Sequence, residues 1–435
     1  MEPKVSVIMP SLNVKDYIYE SIKSVIDQSI PDIEIICVDA HSQDGTYEIL
    51  TSFERQDRRI RVFQIEEKSY GKQVNYGIQQ ARGEYIAIVE TDDYIEGDML
   101  SDLYNLAEEH KCDYVKSDYD AYYTQNNGER FFLARSTFLD LSLYDKEIHP
   151  RDVSAISTDD WYLWQGIYKR SFIVGNDIKF NETKGAAFQD IGFLYQITRY
   201  ADKGFYTRKR HYKYCIDRDN ASSNAGKGLM YSYQEFKCLY DKYIPESDYR
   251  MNVHYYGRMA KSFVCCLYEI AEKGTTIDSS QIDEYYNWFK DKLQKAIEDE
   301  LINEGNIHDG IWVKLMELLE SKEGAYTTIR CRDESIRHRI GEIDSSHVVI
   351  FGCGNHGYGA YKWIEKNGYH LEAFMDNNSE LWGKTLNGVL IKNPVEAPLM
   401  GNLTKFIVAN EKYWKDIKKQ LIRSGVLEEN IIIYS

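Results

Sequence analysis

An α/β fold organised on a parallel sheet is predicted by three features of the N-terminal stretch. Short apolar runs alternate with helix-like segments from Val5 to Val89. The runs read as strands buried on both faces, the mark of a parallel sheet. Two of them end in carboxylates: Asp39 follows Val38, and Glu90, Asp92 and Asp93 follow Val89. Ligands of open α/β sheets bind beyond the carboxyl ends of the strands, so these acids stand where a site belongs.

The elements follow in order. Val5 to Met9 is a strand stopped by Pro10, and the loop Ser11-Leu12-Asn13 leads into a helix from near Asp16. Its Ile18, Ile22, Val25 and Ile26 keep helical spacing. Ile33 to Val38 is the second strand, and the segment from Ala40 to Thr46 opens a helix through Leu50 and Phe53. Ile60 to Ile65 is the third strand, and after Ser69-Tyr70-Gly71-Lys72 a helix from Gln73 to Arg82 delivers the chain to Gly83 and the fourth strand. This β-α-β-α-β-α-β alternation makes a layered α/β domain. The first strand is not followed by Gly-x-Gly-x-x-Gly, which argues against a dinucleotide site in this half.

Composition narrows the function classes. A chain of 435 residues accommodates two or three domains. With 43% hydrophobic and 28% charged residues it is expected to be a soluble globular protein. No window approaches the roughly 18 apolar residues of a membrane span. Met1-Glu2-Pro3-Lys4 leads directly into the first strand. The expectation is therefore no targeting segment and a cytoplasmic location, with peripheral association at the inner membrane face still open. The net charge of −16 argues against nucleic acid and against broad adhesion to anionic lipid. The basic cluster from Arg199 to Lys213 reads as a strand edge guarded by charge. The eight cysteines form no Cys-x-x-Cys pair and read as reduced core residues.

The acids carry the chemistry. Glu90 and Asp92 are hard oxygen donors two residues apart, which suits Mg²⁺ or Mn²⁺ shared with substrate phosphates. Asp39 and Asp92 at neighbouring strand ends fit a nucleotide laid across the sheet, anchored at one end by hydrogen bonds and at the other by metal. The competing role for such acids is helix capping, with Asp98 placed ahead of Met99-Leu100.

With these residues on the page, the N-terminal part to about residue 225 resembles the inverting family 2 glycosyltransferases of the GT-A fold. The resemblance rests on Val7-Ile8-Met9-Pro10-Ser11-Leu12-Asn13, Val38-Asp39-Ala40-His41-Ser42-Gln43-Asp44-Gly45-Thr46, Gly71 with Asn75 and Gly77, Ala81 to Ile86, and Glu90-Thr91-Asp92-Asp93. It implies donor contacts at Pro10, Asn13, Asp39, Lys72, Asn75, Thr91, Asp92, Arg218 and Ser222, with Asp39 on the uracil or ribose. It implies a metal held by Asp92 with Glu90, where the family's motif opens with Asp. Asp190 matches the family's catalytic base at a helix start, with Gln189 in place of the usual first acid. Its competing role is a helix cap. Trp161 and Trp164 are candidate acceptor-sugar platforms, against the commoner role of a buried Trp.

From Leu229 to about Arg339 the spacing turns helical, as in Phe236, Leu239, Tyr240 and Tyr243. A second α/β unit begins at Val348 to Phe351, with Gly352, Gly354 and Gly357 in a turn before a helix and Asp376 at the next strand end. That is a Rossmann-type fingerprint, read either as a nucleotide or NAD site or as a structural or oligomerising module that kept the turn and lost the ligand. About 90 residues amount to half a full dinucleotide fold. The expected plan is a GT-A catalytic domain over 1–225, a helical segment over 226–340 and a small Rossmann-like α/β domain over 341–435. The expected function is metal-dependent transfer of a sugar from a nucleotide-diphosphate donor, of the UDP-sugar type, to a glycan or lipid-linked acceptor in bacterial surface polysaccharide synthesis. The rivals are an NAD-linked sugar oxidoreductase run by the C-terminal module and a non-catalytic nucleotide-sugar-binding scaffold.

Overall fold

The structure, a computed structural model, describes residues 2–216, 227–244, 248–340, 347–410 and 413–434. The chain divides into two units: residues 1–122 with 134–315, and residues 123–133 with 316–435.

The first unit opens with β1 (Val5–Ser11), α1 (Lys15–Ile26), β2 (Ile33–Asp39), α2 (Thr46–Glu54), β3 (Ile60–Gln64), α3 (Tyr70–Gln80) and β4 (Tyr85–Ile88). These four strands are parallel and lie in the order β3-β2-β1-β4. All residues of β1 and β2 are buried, as their continuous apolar character requires. The strand β1 runs through Pro10 to Ser11 instead of stopping at the proline. Its pairing with β4 ends at Ile8, so beyond that point β1 has β2 alone as a neighbour and the missing N–H disrupts no ladder. The helix α3 starts at Tyr70, ahead of the expected Gln73, because Ser69 caps it by accepting from the Lys72 N–H at 3.2 Å.

Next come β5 (Tyr94–Ile95), α4 (Met99–His110), β6 (Tyr114–Thr124), β7 (Arg130–Arg135), β8 (Glu147–Ile148), α5 (Ala155–Asp159), β9 (Gly166–Lys169), α6 (Arg170–Gly175), α7 (Gln189–Tyr200) and β10 (Gly204–Cys215), the end of β6 and most of β7 falling in the 123–133 segment of the second unit. They extend the sheet as β4-β9-β6-β10-β5, with β9 antiparallel to both its neighbours. In the basic cluster Arg208, Lys209 and Arg210 are exposed on β10 between its short pairings with β8 and β5, as the strand-edge reading expects, whereas Lys213 pairs with both β6 and β5. The cluster's charges are matched by interleaved acids: Arg210 and Lys213 both pair with Asp120, at 2.9 and 2.8 Å.

The helical stretch comprises α8 (Gly228–Tyr243), α9 (Tyr249–Lys273), α10 (Ser279–Glu298), α11 (Asp309–Glu320) and α12 (Gly324–Ile340). Asp248 caps α9 by accepting from the Met251 N–H at 3.0 Å. Among the described residues no helix is long and apolar enough to cross a membrane. All eight cysteines are free, but Cys238, Cys265 and Cys331 are exposed, so the expectation of an all-core set holds for only part of it.

The second unit carries β11 (Val348–Phe351), α13 (Asn355–Lys366), β12 (Leu371–Met375), β13 (Thr385–Leu386), β14 (Val389–Lys392), β15 (Lys405–Val408), α14 (Trp414–Arg423) and β16 (Ile431–Ile433). The sheet order is β13-β14-β12-β11-β15-β16, parallel except for β13. Five parallel strands in this order exceed the half-fold expected from length, because the short β14 and β16 each add a strand.

Candidate active site

The first cluster sits where β1 and β2 end, with Ser11 in register with Asp39. Asp39 is fully buried and accepts from four donors: Ser42 N–H at 2.9 Å, Ser42 Oγ at 2.5 Å, Gln64 Nε2 at 3.1 Å and Ser11 Oγ at 3.3 Å. These bonds order the loop after β2. Asn13, at a φ of 53°, completes that loop by accepting from Gln43 N–H at 2.8 Å and donating its own N–H to Ser42 Oγ at 2.9 Å. Asp39 meets a nucleoside only by exchanging one of these donors.

The second cluster follows β4. Thr91 is buried and donates to the Pro10 carbonyl at 2.8 Å, which ties the acidic segment to the end of β1. Asp93 is buried, accepting from Tyr212 Oη at 3.1 Å and from the Cys215 N–H at 2.9 Å. Burial pushes its carboxyl well above the usual range, and the nearby Glu90 adds to this. Asp93 thus fastens the segment to β10. Glu90 and Asp92 stay partly exposed, and Glu90 accepts from Tyr70 Oη at 2.6 Å. Two carboxylates in this setting fit a hard divalent cation whose remaining ligands are phosphate and water.

Asp190 lies in the first turn of α7, where its carboxylate accepts from the Ile191 N–H at 3.0 Å. Its pKa is raised to about 6, burial outweighing the opposing pull of Arg258, the backbone amides and Lys116. That value suits a base working near neutrality. Both cations are themselves buried. Lys116 on β6 pairs with Asp160, and Arg258 on α9 donates to the carbonyls of Asp160 and Ile156 at 2.9 and 3.0 Å.

Tyr70 joins the two acid centres. Its hydroxyl donates to Glu90 at 2.6 Å, and its N–H donates to the Gly185 carbonyl, in the segment leading into α7, at 2.9 Å. Gly71 permits this approach, since a Cβ there would stand 2.1 Å from the Asn181 carbonyl oxygen. Glu235 on α8 lies against the same turn, a Cβ at Gly192 standing 2.9 Å from its Oε2. Burial pushes its pKa up to about 8. Tyr70, Lys116, Arg258 and Glu235 were missed in the sequence. They come from separated segments, and in sequence a buried lysine or arginine looks like any surface one.

The remaining predicted residues divide. The Asn75 amide is spent on the 180–182 segment, donating to the Phe180 carbonyl and Glu182 at 3.0 Å each and accepting from the Phe180 N–H at 2.9 Å. It shapes the site by placing that segment. Lys72 pairs with Glu67 at the surface. Trp161 keeps a partly exposed ring, faced by Arg258 and Lys261 at 5.2 and 5.0 Å. Trp164 is 5% exposed and stacks on Tyr212, Tyr162 and Tyr214 at 4.1, 4.7 and 5.1 Å, so it is a core residue with no face for a sugar. Arg218 and Ser222 lie outside the described residues.

In the second unit the glycine turn is tight. Gly352 has a φ of 113°, Gly354 precedes α13, and a Cβ at Gly357 would stand 1.9 Å from the Gly352 carbonyl oxygen. Asp376 turns back onto this loop, accepting from Cys353 N–H and Asn378 N–H at 2.8 Å each.

The parallel sheet with acids at its carboxyl ends, extended by further mixed strands and by helices, is a GT-A-type domain. Residues 6–156 match the model described as "Glycosyl transferase family 2", and the chain carries a domain of that family. Residues 344–432 match a model described as "C2185-like, N-terminal". Among curated relatives, the chain is 32% identical over 183 residues to "Uncharacterized glycosyltransferase EpsJ" of Bacillus subtilis, covering 42% of this chain and 52% of that one. It is 41% identical over 120 residues to "Putative teichuronic acid biosynthesis glycosyltransferase TuaG" of the same organism, covering 27% and 47%. The chain spans about half the length of these relatives. Among solved structures, that of S. aureus TarS 1–349 in complex with UDP-GlcNAc superposes with a TM-score of 0.55 at 20% identity, covering 78% of this chain and 92% of that one.

Proposed function

We propose that this chain is an inverting glycosyltransferase that moves one sugar from a nucleoside-diphosphate donor of the UDP class to a hydroxyl of a glycan or lipid-linked saccharide in cell-surface polysaccharide assembly. The observation that supports the reading is Tyr70, whose hydroxyl donates to Glu90 and whose N–H donates to the Gly185 carbonyl in the segment leading into α7 and Asp190. A strand-end carboxylate pair and a separate, raised-pKa acid are what a single displacement requires. Asp190 takes the proton of the acceptor hydroxyl as its oxygen bonds to the anomeric carbon. The bond from that carbon to the diphosphate oxygen breaks on the opposite face, and the nucleoside diphosphate leaves. Asp92 with Glu90 would hold Mn²⁺ or Mg²⁺, whose charge stabilises the departing diphosphate. The loop fastened by Asp39 and Asn13 would receive the nucleoside, and Trp161 the acceptor.

Support for the substrate classes comes from the relatives. One similar protein, 29% identical over 220 residues and covering 50% of this chain and 33% of its own, is named "Poly(ribitol-phosphate) beta-glucosyltransferase". TuaG is named for teichuronic acid, and the TarS structure holds UDP-GlcNAc. The proposed division is catalysis in 1–225, acceptor shaping by 226–340 and a structural or oligomerising role for 341–435. In that unit Asp376 accepts from two backbone N–H groups of the glycine turn, which supports the structural role.

The test is nucleoside diphosphate release from UDP-, GDP- and dTDP-sugars with Mn²⁺ or with EDTA. The expected outcome is metal-dependent release from one UDP-sugar, lost in Asp92→Asn. Failure to bind any nucleotide sugar would overturn the proposal in favour of a scaffold.

A further inference from the structure

A second group of metal-competent side chains lies on the same unit, beyond the acidic segment. Asp98 and Asp102, one turn apart at the start of α4, face His211 on β10, and their ligand atoms all lie within 4.8 Å of one another. Asp98 is the residue before α4, yet its carboxylate makes no capping bond to the helix. It stands instead 3.3 Å from His211 Nδ1. On the other side of the ring, Nε2 is 3.3 Å from Asp102 Oδ2 and has no hydrogen-bond partner, although the side chain is only 5% exposed.

This arrangement is unsatisfied as it stands. In the tautomer that donates Nδ1–H to Asp98, the Nε2 lone pair faces the Asp102 carboxylate. A divalent cation placed between these two atoms would be ligated by both. Ligands about 2.0–2.2 Å from a tetrahedral Zn²⁺ stand about 3.3 Å apart, the spacing found here. A carboxylate on the far imidazole nitrogen is also the usual way a metal-binding histidine is oriented. Lys209 pairs with Asp102 from a largely exposed position, so the charge it supplies is displaceable.

We propose that Asp98, Asp102 and His211 form a second divalent-cation site of the zinc class, distinct from the donor site and independent of the function proposed above. His211 Nε2 and Asp102 bind the ion, Asp98 fixes the imidazole tautomer and reaches the same space, and water completes the shell. A cation there ties α4 to β10. Next to it the Glu96 N–H donates to the His211 carbonyl at 2.8 Å and Asp93 anchors the acidic segment. The role is structural: it steadies the strap that carries the donor-site acids.

Zinc chloride titrated into the full-length chain, with bound metal counted by mass spectrometry after dialysis and melting followed in parallel, tests this. Wild type is expected to retain one equivalent of zinc and to melt higher with it. Asp92→Asn is expected to retain that equivalent, and Asp98→Asn and Asp102→Asn to weaken it by about tenfold or more. Both positions on α4 tolerate an isosteric amide, so the outcome does not depend on substituting the buried histidine. Binding by Asp102→Asn as tight as wild type, loss of binding in Asp92→Asn, or no retained zinc in wild type would each overturn the proposal.

Discussion

The two units place an acid after a central parallel strand, and they use it in opposite ways. In the second unit Asp376 accepts from the N–H groups of Cys353 and Asn378, so its charge stiffens the glycine turn it would otherwise serve. In the first unit Asp39 is likewise consumed by its own loop, but Glu90 and Asp92 stand on a segment that Thr91 and Asp93 hold in place for them. Strand-end carboxylates flanked by buried anchors, as Glu90 and Asp92 are by Thr91 and Asp93, keep partial exposure that the fully buried Asp39 does not. A buried anchor on either side of a half-buried ligand is the more informative pattern.

Three substitutions sharpen that contrast. A large effect on turnover is expected for Asp92→Asn, which removes a carboxylate from the proposed donor site and leaves the anchors intact. Metal-dependent turnover is expected to fall by about 10²–10³ with little change in melting. Retained turnover would erase the contrast between the two acids. Asp376→Asn is expected to do the reverse. It weakens two charge-assisted bonds at the glycine turn, costing about 1–3 kcal/mol in denaturant unfolding while kcat/KM for transfer is unchanged. Reduced nucleotide-sugar affinity in that variant would restore a ligand role to the second unit.

The third substitution concerns stability and pH. The Asp190 pKa rises from 3.8 to about 6 on folding, so the folded state holds the proton more tightly. Stability is lost as pH rises from about 4 through 6, and the penalty is complete above that window. Asp190→Asn removes it, so the variant is expected to be more stable than wild type at pH 7, by up to about 3 kcal/mol, with the difference gone below pH 4. Melting curves at the two pH values check this. A less stable variant at pH 7 would make Asp190 a cap.

Much of the fold was legible because continuous apolar runs such as Ile33 to Val38 have few alternatives to a buried parallel strand. The start of α3 was missed because Gly71 reads as a loop residue, whereas its task is to let the helix touch Asn181. The acids of the site were legible from their places at strand ends and from the family resemblance. Their surroundings were not. Lys116 and Arg258 reach Asp190 from β6 and α9, and Trp164 sits in an aromatic stack assembled from β6, β10 and the segment before β9. Which side chain meets which across the sheet depends on register, and apolar pattern alone does not specify register between distant strands.

The central claim is that Asp190 is the base of a transfer whose donor is held elsewhere. The most direct measurement compares wild type and Asp190→Asn for nucleotide-sugar binding by calorimetry and for the pH dependence of transfer. The account predicts equal donor affinity, a rate lower by about 10²–10⁴ in the variant, and a wild-type rate that falls as pH drops through about 6. Transfer by Asp190→Asn at the wild-type rate, with the same acid limb, would contradict it.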